Sequence, residues 1–279
     1  MPTLVTENQP YTLLKPGELK LPILISVPHC GTLLTKDFTE SVADTDILNL
    51  PDTDWFVNEL YDFAIPLGIP LIHAVYSRYV IDLNRQLPGE KSLYTKKSRV
   101  TELVPLYSFD GRPIYKEGME PSESEISRRV EKYYHPYYQK ISQVLTALRQ
   151  QFPLVMLYDG HSIKGQVKSI QSAPFADYMP ANRQGVTCPN EFIQCAEDII
   201  RSHHCTYSSN GPFQGGNITR HFCNHQSGII SFQMEISQRL YMDETTGEKI
   251  PLVWKKTTKV LQEIVENFTE ILLAMNKGI

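Results

Sequence analysis

Short apolar runs alternate along the chain with longer stretches of helical periodicity. Residues 21–27 form a β-branched apolar run closed by Pro28-His29-Cys30-Gly31. Residues 154–157 form a second, continuing into Tyr158-Asp159-Gly160-His161-Ser162. Runs this short, bounded by turn residues, predict buried strands. Residues 70–75 and 79–83 are also β-rich and predict a strand and its extension, and residues 229–236 predict a further one. Between them, Asp52-Thr53-Asp54 opens a helix with Trp55, Leu60 and Phe63 on its apolar face and Pro66 and Gly68 at its end. A long helix runs from Ser122 to about Gln150, and Pro136 within it predicts a kink or a break. Pro189 starts another that runs through His203, and residues 253–275 form a closing amphipathic helix, with Val260, Leu261, Ile264, Val265 and Phe268 at helical spacing. Residues 86–121 show no periodicity and predict an excursion that covers a site, a candidate lid. There is no internal repeat. The length allows one large domain or two smaller ones, and strands alternating with helices predict an α/β sandwich with mixed pairing near its end.

Composition narrows the function classes. With 279 residues, 41% hydrophobic and 21% charged, the chain is globular in character rather than disordered. A net charge of −4 without long blocks of one sign argues against a nucleic-acid partner. Cys30, Cys188, Cys195, Cys205 and Cys223 are odd in number and contain no Cys-x-x-Cys pair, which excludes a disulfide framework or zinc knuckle. Residues 1–10 are polar with no apolar signal core, and no stretch approaches the ~20 apolar residues that span a bilayer. The expectation is a soluble, cytoplasmic protein.

Two strands that each deliver a histidine at the carboxyl end suggest one site, because ligands of open α/β sheets sit there. Two histidines and a carboxylate are the usual ligands of a hydrolytic zinc. His29 and His161 are the histidines. Asp54, Asp52 and Asp159 compete for the carboxylate, and Asp159 could instead orient His161. The bland alternatives are structural histidines and aspartates that cap a helix. Arg78, Asn84 and Arg85 lie close together and suit a carboxylate ligand; the competing reading is a surface salt bridge with Asp82. Glu235 shares a strand face with Gln233, and a glutamate in so apolar a run is costly to bury unless paired or functional. It is placed as the base on a metal-bound water, against the alternative of a solvent-facing edge position. In the glycine-rich residues 211–220, Arg220 could reach an anionic substrate, but the Gly-Lys-Ser/Thr ending of a phosphate loop is missing. Gly160-His161-Ser162-Ile163-Lys164 nearly matches a serine-hydrolase elbow, yet Lys164 stands where the second glycine belongs. The residues therefore point to a metal-dependent hydrolase.

Six segments in order resemble the N-formylglutamate amidohydrolase family: Ile25-Ser26-Val27-Pro28-His29-Cys30-Gly31, Asp52-Thr53-Asp54-Trp55, Ser77-Arg78-Tyr79-Val80-Ile81-Asp82-Leu83-Asn84-Arg85, Asp159-Gly160-His161-Ser162, Gly215-Gly216-Asn217-Ile218-Thr219-Arg220-His221 and Gln233-Met234-Glu235. They span about residues 20–245. The resemblance implies a single domain over residues 1–279, a zinc-carboxypeptidase-like α/β three-layer sandwich with a mixed central sheet. It implies hydrolysis of N-formyl-L-glutamate to formate and L-glutamate in histidine degradation. It further implies zinc, or another divalent metal, on His29, Asp54 and His161, with Glu235 as base and then acid. Arg78 would stabilise the oxyanion, Asn84 and Arg85 would hold the α-carboxylate, and Arg220 the side-chain carboxylate. The Asp-x-Asn-Arg stretch also looks like its counterpart in the aspartoacylases, so another N-acyl amino acid is the nearer alternative substrate, and a non-catalytic metal- or amino-acid-binding relative the more distant one. Cys30 stands beside a metal histidine, where oxidation could affect the site.

Overall fold

The computed structural model describes residues 9–88 and 102–278. Its strands are β1 (Tyr11–Leu14), β2 (Ile23–Val27), β3 (Leu71–Ala74), β4 (Val155–Ile163), β5 (Tyr178–Ala181) and β6 (Ile229–Ser237). They form one sheet in the order β1–β3–β2–β4–β6–β5. The four inner strands run parallel, and β1 and β5 pair antiparallel at the edges. Every residue of β2 and of β4 is buried, as expected of parallel strands covered on both faces.

The helices are α1 (Lys36–Ser41), α2 (Val57–Leu60), α3 (Ala64–Leu67), α4 (Glu123–Arg129), α5 (His135–Arg149), α6 (Asn190–Ser202), α7 (Asn217–Phe222) and α8 (Pro251–Lys277). Ile23, Ile25, Tyr158 and Phe232 pack on one face of the sheet with Phe192 of α6 and Ile264 and Phe268 of α8. Leu24, Val155 and Leu157 pack on the other with Tyr137 and Ile141 of α5 and Ile218 of α7. Each such buried aliphatic side chain contributes about 1.5–3 kcal/mol, so the alternation of side chains along the strands fixes which face each helix covers. The result is a three-layer α/β sandwich. From β2 the chain steps to β3 on one side and later to β4 on the other. The order reverses between β2 and β4, and that is where an open sheet leaves its binding crevice.

Four expectations change. Residues 79–83 do not extend a strand: Val80 N bonds Ser77 O, Arg85 N bonds Asp82 O, and Asp82 N reaches Leu103 O. Tertiary partners override the β-propensity there, since Arg129, Tyr138 and Tyr134 donate to the carbonyls of Val80, Leu83 and Arg85. No helix opens at Asp52 either. α2 begins only behind Phe56, whose φ of 61° is a strained value for a bulky residue. Its ring is wedged by Trp55 and Trp254, with the Lys249 ammonium 4.5 Å from its centroid. The kink expected at Pro136 is a π turn over Val130–Tyr134, inside a helix otherwise continuous from Glu123 to Arg149. A proline removes a helix hydrogen bond and crowds the carbonyl four residues back, and the wider turn relieves both. β4 continues to Ile163, so Asp159 and His161 lie within the strand rather than beyond it.

Edge strands β1 and β5 escaped the polarity pattern because each has only four residues, and β5 contains Pro180, which only an edge tolerates. Of the excursion over residues 86–121, residues 89–101 lie outside the described residues. Val104, Ile114 and Tyr115 pack in an apolar cluster with Phe38, Ile47, Leu50 and Tyr79. No helix among the described residues is long and apolar enough to cross a membrane.

Candidate metal centre and active site

His29 leaves the end of β2, and Gly31 lets the chain turn tightly there: a Cβ on Gly31 would lie 2.2 Å from Tyr76 O. His161 lies on β4 and pairs in register with Glu235 of β6, as Asp159 pairs with Gln233. In parallel neighbours this puts Asp159, His161, Gln233 and Glu235 on one face, the face covered by α5 and α7. The long loop after β2 returns Asp54 to the same place, with Asp54 N bonded to His29 O.

His29, Asp54 and His161 converge, all three buried, with one potential ligand atom from each lying within 4.8 Å of the others. Asp54 Oδ2 is 3.7 Å from His29 Nδ1 and 3.2 Å from His161 Nδ1. The opposite ring nitrogens are held by two more carboxylates: His29 Nε2 is 2.7 Å from Asp82 Oδ1, and His161 Nε2 is 2.8 Å from Asp159 Oδ2. An imidazole that faces a carboxylate with Nε2 carries its proton there, which leaves the Nδ1 lone pair toward the centre. Ile218 N donates to Asn84 Oδ1 at 2.8 Å, so Asn84 Nδ2 faces the pair beside it, 3.1 Å from His161 Nε2 and 3.4 Å from Asp159 Oδ2.

Three lone-pair donors pointed at one another are mutually repulsive unless a positive charge sits between them. Burial works against a charged His161, yet Asp159 and Asp54 hold it well above its ordinary range. Asp54 is likewise held low against its burial by bonds to His161 and His29. The same demand for a cation suits a metal. Bonds of about 2.0–2.1 Å to a tetrahedral zinc set ligand atoms about 3.4 Å apart, and 3.2 and 3.7 Å bracket that value. The donor set therefore fits zinc.

The three candidate carboxylates separate by geometry. Asp54 faces both histidines. Asp159 is the orienting acceptor of His161. Asp52 instead accepts from Tyr79 Oη at 2.7 Å and Phe109 N at 2.8 Å. None of them caps a helix. The surface salt-bridge reading of Asp82 fails as well, because Asp82 is 1% exposed and bonds Arg78 Nη2 at 2.6 Å. Burial opposes its ionisation, but Arg78, Arg85 and His29 hold its carboxyl well below the usual range.

Arg78 is buried beside the centre, with Nη1 3.9 Å from Asp54 Oδ1 and the Phe109 ring centroid 4.7 Å from its Cζ. Burial works against its charge, but Asp82, Asp54 and Asp52 keep it above its ordinary value. Arg85 is partly exposed, with Nη2 3.6 Å from Asp82 Oδ2. Asn84 is engaged at both ends of its amide, its oxygen by Ile218 N and its Nδ2 beside His161 Nε2 and Asp159 Oδ2. Arg220 lies on α7, over β4 and β6, with Nε donating to Gly215 O at 2.9 Å. Glu235 is 7% exposed and its carboxyl makes no hydrogen bond among the described residues. Burial foremost, with Asp54 and Asp159 adding to it against His161 and Arg78, raises it to about 8. Burial foremost, with Asp54 adding to it, pushes the Cys30 thiol up, which disfavours the reactive thiolate.

A cleft of about 430 Å³ is lined among others by Asp52, Phe109, Ser162, Lys164, Val167 and Gln238, and none of the three metal-facing residues lines it. Ser162 N donates to Asp54 Oδ2 at 3.1 Å, and Gln238 Nε2 to Thr53 O at 2.9 Å. Sequence reasoning missed Asp82 as the orienting partner of His29, although a carboxylate spaced four and three residues from two arginines was a usable signal. For Phe109, Ser162 and Gln238 no local signal exists.

Comparison with known proteins shows the family. Residues 21–242 match the family model for N-formylglutamate amidohydrolase. The N-formylglutamate deformylase of Pseudomonas putida is 37% identical over 231 residues, 81% of this chain and 84% of that protein. That of Pseudomonas aeruginosa is 35% identical over 254 residues, 89% of this chain and 92% of that protein. The crystal structure of N-formylglutamate amidohydrolase from Ralstonia eutropha superposes with a TM-score of 0.83 at 24% identity, covering 98% of this chain and all of that one, and shows the same fold. With a family model spanning the whole site and relatives above 30% identity over most of its length, the chain belongs to the N-formylglutamate amidohydrolase family.

Proposed function

We propose that this protein is a metal-dependent amidohydrolase that cleaves N-formyl-L-glutamate to formate and L-glutamate, within histidine degradation as the family resemblance implies. The observation that carries the metal part is the convergence of His29 Nδ1, His161 Nδ1 and Asp54 Oδ2, with Asp82 and Asp159 on the far nitrogens. Zinc is the ion this donor set favours, and another divalent metal of similar geometry would also be held. Bound there, it would supply Lewis acidity to water and to the formyl oxygen. The substrate part rests on the relatives, both named N-formylglutamate deformylase.

The chain's own residues supply the rest. Glu235 pairs across the strands with His161 and has no competing hydrogen bond among the described residues. It accepts the proton of the attacking water and returns it to the leaving amine nitrogen. Arg78, kept cationic by three aspartates, offers a fixed positive charge to the oxygen on which negative charge develops. Arg85, with Asn84 beside it, receives the substrate α-carboxylate, and Arg220 the side-chain carboxylate.

The test is Glu235→Gln. It keeps shape and should keep metal content and substrate binding, while turnover falls by about 10²–10⁴-fold. Near-normal turnover would remove Glu235 from this role.

A further inference from the structure

Three consecutive carbonyls next to the metal centre are held by one fixture. Tyr138 Oη donates to Leu83 O at 2.8 Å, Asn217 N to Asn84 O at 3.4 Å, and Tyr134 Oη to Arg85 O at 2.9 Å. The two phenol rings stack, 4.1 Å apart and 14° from parallel. Asn217 Nδ2 donates to both hydroxyls, at 3.0 and 2.9 Å, so each hydroxyl accepts from Asn217 and has its one proton left for a carbonyl. Asn217 is fully buried. Next to it Gly216 lies against the Asn84 amide so closely that a Cβ would come within 2.2 Å of Nδ2.

The π turn makes this fixture geometrically possible. Arg129 Nη1 donates to Val80 O at 2.9 Å, so Arg129 and Tyr134 must both face the segment that runs from Val80 to Arg85. In an α-helix, residues five apart point about 140° from each other, since each residue turns about 100°. A π turn closes i to i+5 and brings them to one side. Tyr134 and Tyr138, four apart, then share that side across the start of α5. The extra residue thus aligns Arg129, Tyr134 and Tyr138 along the one segment from Val80 to Arg85.

The geometry points to Tyr134, Tyr138 and Asn217 as positioning residues that set the aim of Arg85 and Asn84, and so the enzyme's affinity for the carboxylate of its substrate. This rests on the reading that Arg85 receives the α-carboxylate. Arg85 is the least buried of the three residues whose carbonyls are held, with 22% of its side chain open, and its Nη1 donates to Asn84 O at 3.3 Å, so its direction is tied to how this backbone is held. The fixture meets the centre through Asn84, whose Nδ2 lies 3.1 Å from His161 Nε2, while the three metal-facing atoms and Glu235 are held by other residues, so its loss should act on binding more than on the chemical step.

The experiment compares Tyr134→Phe, Tyr138→Phe and Arg85→Met in the zinc-loaded full chain. Each is assayed on N-formyl-L-glutamate and on its analogue with the α-carboxylate replaced by an amide. Each phenylalanine variant keeps its ring in the stack and loses one hydroxyl. The expected result is a KM for N-formyl-L-glutamate raised about tenfold in each, the scale of one lost hydrogen bond. Turnover should stay within about twofold and metal content should be unchanged, with no added penalty on the amide analogue. Equal losses on both substrates, or a fall in turnover at constant KM, would show a general structural role and overturn the proposal. A raised KM in Arg85→Met beside unchanged values in both tyrosine variants would overturn the clamp alone. An unchanged KM in Arg85→Met would overturn the carboxylate reading and, with it, the purpose assigned to the clamp.

Discussion

Asp82 Oδ1 lies 2.7 Å from His29 Nε2, while the same carboxylate accepts from Arg78 at 2.6 Å through its other oxygen. One buried anion thereby fixes the tautomer of a candidate metal ligand and the direction of the guanidinium beside it. Removing an orienting carboxylate of this kind typically weakens metal affinity about 10–100-fold. Asp82→Ala should show that loss in a competition titration against a chelator of known affinity. Wild-type affinity would mean that the Asp82–His29 bond does not matter to the metal.

Asp52 and Asp54 are two residues apart but differ in what they face. Asp54 Oδ2 meets both imidazoles, whereas Asp52 Oδ2 meets Tyr79 and the backbone of Phe109. Asp52→Asn should therefore retain one equivalent of zinc, and Asp54→Asn should lose most of it. Elemental analysis of the two variants after gel filtration decides this. The reverse pattern would assign the ligand to Asp52.

Much of this was legible in the residues. The buried strands carrying His29 and His161 follow from the runs at 21–27 and 154–157, and the face shared by Gln233 and Glu235 follows from strand periodicity. The segment from Arg78 to Arg85 was readable as chemistry but not as structure. Its carbonyls are taken by Arg129, Tyr134 and Tyr138, which lie 49 to 55 residues away, so local β-propensity misled. For the same reason the choice among three aspartates stayed open, because only the folded loop shows that Asp54 N returns to His29 O.

The acyl preference has a structural handle in Phe109. Its ring covers Arg78 at 4.7 Å, and its backbone N–H is tied to Asp52 at 2.8 Å. On the role proposed for Arg78, this ring stands beside the acyl group and would crowd one larger than formyl. Phe109→Ala should raise the ratio of kcat/KM for N-acetyl-L-glutamate over N-formyl-L-glutamate by about tenfold, the lower end of what one methylene commands. An unchanged ratio would place the acyl wall elsewhere.

Glu235 predicts a pH dependence whose sign is set by its raised carboxyl. The folded, metal-free protein holds that proton up to about 8, whereas the ordinary value is 4.5. Its contribution to stability is therefore complete below the ordinary value and is lost as pH rises through the folded one. The unfolding free energy of wild type minus that of Glu235→Gln, measured in chelator, should fall between about pH 5 and pH 8.5. A flat difference would mean that Glu235 is ionised throughout.

The central claim, a zinc-dependent deformylase, meets its most direct test in formate release from N-formyl-L-glutamate, measured before chelation, after it and after zinc is returned. The account predicts turnover that the chelator abolishes and zinc restores. Turnover that survives complete metal removal, or no formate at all from metal-replete protein, would contradict it.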